Sequence, residues 1–167
     1  MSLISRELND ALNEQIGHEY GAAMQYVSIA GYFDRQKLTL LSKLFFEQSK
    51  EEQEHAMTFV RYILDTNGEL KVPAIPQPTA TFKSAEEAVQ AALKWEMEVT
   101  DQINKLMDLA VSKNDDLAQG FLQKFVDEQL EEVRKMDQLL SVIQRSGEKN
   151  LIMVEAYLIH IQKVGGE

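Results

Sequence analysis

The chain has 167 residues, 44% of them hydrophobic, and carries 27 acidic against 17 basic side chains for a net charge of −10. That length fits one domain spanning residues 1–167, and the acidity argues against nucleic acid or anionic lipid as a partner while suiting cations. The absence of cysteine excludes disulfides and thiolate metal sites; an N-terminus too polar for a signal peptide and the lack of a membrane-length apolar run predict a cytoplasmic protein with no membrane partner.

Helical periodicity runs through most of the chain, so the predicted class is all-α. The first helix is predicted from about Ser5 to Asp34, with Leu8, Leu12, Gln15, Glu19, Ala22, Tyr26, Ile29 and Phe33 along one stripe. After a turn at 34–37, a second stripe (Leu41, Phe45, Gln48, Glu52, His55/Ala56, Phe59, Ile63) runs to about Thr66, where Asn67-Gly68 can adopt positive φ and stop the helix. Residues 69–83 hold all three prolines, Pro73, Pro76 and Pro78, and lack periodicity; they are long enough to travel the length of a bundle. A third helix opens on a capping box, Ser84 to Glu87, with Ala85, Val89, Ala92, Glu96, Val99, Ile103, Leu106 and Ala110 as its stripe. Asn114-Asp115 breaks it. A fourth follows with Ala118, Phe121, Phe125, Glu128, Glu132, Met136, Leu139 and Ile143 and stops near Ser146-Gly147, so the bundle covers 5–146. A short fifth helix over 149–162 is apolar on more than one face, which predicts cover by another subunit.

Glutamates interrupt all four stripes at matching heights. Glu19 lies 15 residues before Asp34 and Glu52 lies 15 after Lys37, so each sits about 22 Å from the same turn. Glu96 lies 18 residues before Asn114 and Glu132 lies 18 after it, with Glu128 one turn nearer the loop. Carboxylates are rarely buried without a positive partner, and no stripe position holds Lys or Arg, so a bound cation is the expected neutraliser. Its donors would be carboxylates and one imidazole, His55, three residues after Glu52; that set suits a pair of iron or manganese ions. Alone, His55 would read as an ordinary core or surface histidine. Tyr26, two turns after Glu19, reads equally well as bundle packing or as part of the centre.

Leu12-Asn-Glu-Gln with Glu19, Glu51-Glu52-Gln-Glu-His55, Trp95-Glu96 and Glu128-Gln129-Leu-Glu131-Glu132 together resemble the bacterial non-haem ferritins, over nearly the full chain. The resemblance implies a ferritin-like four-helix bundle with a long crossover between the second and third helices and a short fifth C-terminal helix. It implies one iron held by Glu19, Glu52 and His55 and another by Glu52, Glu96 and Glu132, with Gln129 close by and Tyr26 beside the pair. A third, inner position would use Glu51, Glu128 and Glu131. Where haem-binding relatives carry a histidine this chain has Glu132, and where they carry a methionine it has Gln53, so no haem is expected. The implied activity is oxidation of Fe(II) by dioxygen or hydrogen peroxide, with ferric mineral stored in a hollow homo-oligomer of twenty-four subunits. The alternatives are a non-storage di-iron or di-manganese oxidase and an inactive, iron-nucleating shell subunit. With one Glu-x-x-His instead of two, the pair should be asymmetric, the position with His55 being the tighter.

Overall fold

The computed structural model describes the backbone of residues 2–164 and the side chains of residues 2–161. Four long helices, α1 (Arg6–Arg35), α2 (Thr39–Asp65), α3 (Ala85–Ser112) and α4 (Asp116–Ser146), are followed by a 3-10 turn (Glu148–Asn150) and α5 (Leu151–Val164). The all-α class expected from the periodicity is what the structure shows, with the long crossover and short fifth helix that the resemblance implies. No helix among the described residues is long and apolar enough to cross a membrane.

Caps explain where the helices begin. Ser5 accepts from the Leu8 N–H, Ser84 from that of Glu87 and Asp115 from that of Ala118, each satisfying a donor with no partner inside its helix. The capping box at Ser84 is only half formed, because Glu87 Oε2 accepts from the Lys83 N–H and not from that of Ser84. Leu38, at the start of α2, has no capping side chain. Its place is taken by Glu155 of α5, which accepts from the N–H groups of Leu40 and Leu41. The left-handed turn residues are Lys37, Asn67, Asn114 and Gly147. Asn67, not Gly68, takes the positive φ at the end of α2; Gly68 is small for another reason, since a Cβ there would lie 2.3 Å from Asn9 Oδ1.

α1 and α2 form one hairpin, α3 and α4 the second, and α1 packs on α3. The crossover from α2 to α3 lies along α1 and is tied to it by side chains. Asn13 donates to Glu69 O and accepts from the Lys71 N–H, Gln25 accepts from the Thr79 N–H, and the Ser28 hydroxyl donates to Thr79 O. Gly17 and Gly21 leave a groove: Cβ atoms there would come within 2.7 Å of Pro73 and 2.9 Å of Trp95. A mid-helix glycine costs about 0.5–1 kcal/mol relative to alanine, a cost offset here by the close approach of the crossover.

The stripes read from the sequence for α1 and α3 are buried along their whole length, and so is that of α2 apart from the half-buried His55. On α4 the reading was displaced by one residue in two places, since Leu122 and Gln129 are buried while Phe121 is partly exposed and Glu128 exposed. Phe121 packs sideways, stacked on Tyr62 and edge-on to Phe59. The buried apolar residues fall into two clusters. One contains Tyr26, Phe33, Phe45 and Met136, the other Leu12, Phe59, Ile103 and Phe125, and Trp95 touches both. Between them lies a layer of polar side chains.

Candidate metal centre

Glu19 from α1 and Glu52 and His55 from α2 bring donor atoms within 4.8 Å of one another, the one such acidic or imidazole trio among the described residues. His55 Nδ1 is 3.2 Å from Glu52 Oε2 and 3.9 Å from Glu19 Oε2; its Nε2 lies 3.4 Å from Glu128 Oε2. Gln15, one turn before Glu19, donates to Glu19 Oε1 at 2.7 Å. Glu19 Oε2 is buried without a donor. A buried oxygen in that state is suited to a cation.

The α3–α4 side is built differently. Glu96, 1% exposed, accepts from the Tyr26 hydroxyl at Oε1 and from Gln129 Nε2 at Oε2, 3.1 Å away. Gln129 Nε2 also lies 3.2 Å from the Glu96 carbonyl and from Thr100 Oγ1, which fixes its orientation. Glu132 faces the same layer but is bound through both oxygens by Lys135 Nζ, at 2.9 and 3.0 Å. Glu96 and Glu132 are thus engaged by Tyr26, Gln129 and Lys135.

Burial pushes Glu19, Glu52, Glu96 and Glu132 toward their neutral forms. Glu19 and Glu52 are lifted well above the usual carboxylate range by desolvation and then by their acidic neighbours. Glu96 is lifted to about 7 by burial, opposed by the hydrogen bonds from Tyr26 and Gln129. Glu132 is lifted by burial against the pull of Lys135, and burial with the Glu96 charge keeps the Tyr26 phenol protonated. A divalent cation entering this layer replaces protons, so its binding is linked to proton release.

Of the inner set expected from the resemblance, Glu128 meets His55, Glu51 accepts from Gln48 Nε2 at 2.5 Å, and Glu131 is exposed. Among the described residues the three do not form a compact trio of their own. No stripe position holds Lys or Arg, yet a cationic side chain reaches the layer from beside the stripe. Lys135 stands off the apolar stripe, yet its long stem carries the ammonium to Glu132 from the side. Its signal in the sequence is the i, i+3 spacing from Glu132. Gln15 and Gln48, which donate to Glu19 and Glu51, and Thr100, which accepts from Gln129, carried no such signal beyond the stripe positions of the two glutamines.

A four-helix bundle with a long crossover and a mid-height layer of carboxylates, one imidazole and one buried amide defines a helical carboxylate protein able to take metal ions. Residues 9–146 match the family model described as the ferritin-like domain, and the chain belongs to that family. It is 40% identical over 147 residues to ferritin BfrB of Mycobacterium tuberculosis, covering 88% of this chain and 81% of the relative. It is 32% identical over 146 residues to the bacterial non-heme ferritin of Staphylococcus aureus, covering 87% and 88%. An open pore ferritin from the archaeon Archaeoglobus fulgidus superposes with a TM-score of 0.89 at 31% identity, over 95% of this chain and 98% of that one.

Proposed function

We propose that the chain oxidises Fe(II) at two adjacent positions and stores the ferric product inside a closed shell of about twenty-four copies. One position uses Glu19, Glu52 and His55; the other uses Glu52, Glu96 and Glu132 with Gln129 alongside, Glu52 being shared. The observation that carries this reading is the trio Glu19–Glu52–His55, with its buried, unsatisfied Glu19 oxygen. The relatives named ferritin support storage, and the exposed Ile152, Met153 and Ile159 on α5 support cover by a second copy.

Iron is the substrate here, and two ions together supply two electrons. With dioxygen as acceptor, two Fe(II) and two protons yield two Fe(III) and one hydrogen peroxide; with peroxide, they yield two Fe(III) and two waters. The protein's part is positional and electrostatic. Gln15 aims Glu19, Tyr26 and Gln129 aim Glu96, and the protons held by the buried carboxyls leave as the cations enter.

Aerobic addition of Fe(II) with simultaneous light scattering tests the proposal. The expected result is a fast oxidation phase saturating at about two Fe(II) per subunit, in a particle far larger than a dimer. A monomer or dimer as the sole species overturns storage; a large particle without a fast phase overturns the oxidation centre.

A further inference from the structure

Lys135 is held in a way that ordinary surface ion pairs are not. Such pairs join two exposed, mobile partners and contribute little. Here three oxygens converge on one ammonium: Gln48 Oε1 at 2.8 Å and Glu132 Oε1 and Oε2 at 2.9 and 3.0 Å, with Glu51 Oε2 at 3.8 Å. Gln48 is 2% exposed, and its amide nitrogen donates to Glu51, an orientation that turns its oxygen toward the ammonium. The result is an all-oxygen cation position bridging α2 and α4, formed from the carboxylate that also faces the metal layer. An ammonium has three donors, and these oxygens use them fully.

We infer that Lys135 is a tethered competitor for the metal, holding Glu132 beside Gln48 and Glu51 until a second ion takes that carboxylate. The inference rests on the two-position reading proposed above. An ammonium and a divalent ion cannot share one carboxylate within a few ångströms in a partly desolvated site without strong repulsion. The ion pairs of Glu19 and Glu52 among the described residues are with His55, and no ammonium stands against the trio, so it loads without this step. The Glu132 position loads only as Lys135 swings outward, a movement open to a half-exposed side chain with a flexible stem. The second ion is therefore held less tightly than the first, and the returning ammonium helps to expel it.

The test uses Zn(II), which is redox-inactive, titrated calorimetrically into metal-stripped, assembled protein. Lys135→Met should tighten the weaker binding event by about tenfold or more and leave the tighter one unchanged, while Lys135→Arg keeps the parental pattern. In the unmodified protein, reductive methylation read by mass spectrometry should find Lys135 protected without metal and reactive once Zn(II) is bound. This second measurement stands even if Lys135→Met fails to assemble. Unchanged Zn(II) affinities in Lys135→Met, or Lys135 labelling that is indifferent to Zn(II), overturns the inference while the metal centre survives. If the parent binds no Zn(II) and Glu52→Ala behaves identically, the metal-centre reading falls, and this inference with it.

Discussion

The Tyr26 hydroxyl donates to Glu96 Oε1 across the bundle, linking α1 to α3 at the height of the carboxylate layer. Both groups are buried, so each depends on the other for satisfaction. Tyr26→Phe removes the donor while preserving the ring that packs on Phe45 at 5.8 Å. We expect a loss of about 1–3 kcal/mol in the metal-free protein and slower Fe(II) oxidation, with first-ion affinity at the His55 position retained. Thermal unfolding and stopped-flow absorbance check this; parental values in both would show that the Tyr26–Glu96 bond is idle.

The same layer sets a pH dependence. Glu96 is lifted from 4.5 to about 7 in the fold, chiefly by burial. A carboxyl with a raised folded value adds stability that is fully present below its unfolded value and is lost as pH rises through the folded one. For Glu96 the gap corresponds to a figure on the order of 3 kcal/mol. Metal-stripped protein should therefore lose melting temperature between about pH 5 and pH 7.5. Glu96→Gln should flatten the slope, and Zn(II) should reverse it by taking the place of the protons. A Glu96→Gln protein with the parental slope would refute the assignment to this residue.

Glu52 belongs to both proposed positions, and its burial leaves it within a ring of carboxyls. Glu52→Ala should abolish the fast oxidation phase while the assembled particle remains intact, because the site tolerates an apolar side chain. Rapid oxidation by that variant at the parental rate would mean that the centre is wrongly located.

Glu131 is exposed on α4, one residue away from Glu132 and turned by about 100°. Its loss should spare the initial burst and alter only later turnovers, when the centre is cleared and refilled. Multi-turnover oxidation traces distinguish the two phases. A Glu131→Ala protein lacking the burst altogether would place Glu131 among the direct ligands.

Glu155 reaches the start of α2 from a helix more than a hundred residues further along the chain, at 2.7 Å from the Leu40 nitrogen and 2.9 Å from that of Leu41. Glu155→Ala should cost about 1–2 kcal/mol, the usual range for a lost cap, with the first turn of α2 losing hydrogen-exchange protection. Unchanged protection there would show that water caps α2 equally well.

Helices, turns and the crossover were legible because each has a local cause: stripes of apolar residues, capping side chains and three clustered prolines. The matching heights of Glu19, Glu52, Glu96 and Glu132 followed from counting residues to the loops. What stayed hidden was contextual. Glu128 and Gln129 are neighbours on α4, and only the rotation of that helix in the bundle decides which of them turns inward. Lys135 lies outside every apolar stripe, so periodicity passed over it although its ammonium reaches Glu132. The cap from Glu155 joins parts of the chain too far apart in sequence for any local pattern to announce it.

The division of the apolar interior into two clusters has a mechanical consequence. Each helix of the bundle is clamped above and below the carboxylate layer, like a beam fixed at both ends with the polar groups at mid-span. Side chains at mid-span can exchange protons, ions or even a ligand for an alanine while the supports hold their spacing. Mutual repulsion among the glutamates is borne by packing on either side of the layer, so the spacing of the helices around the ions is set before any ion arrives.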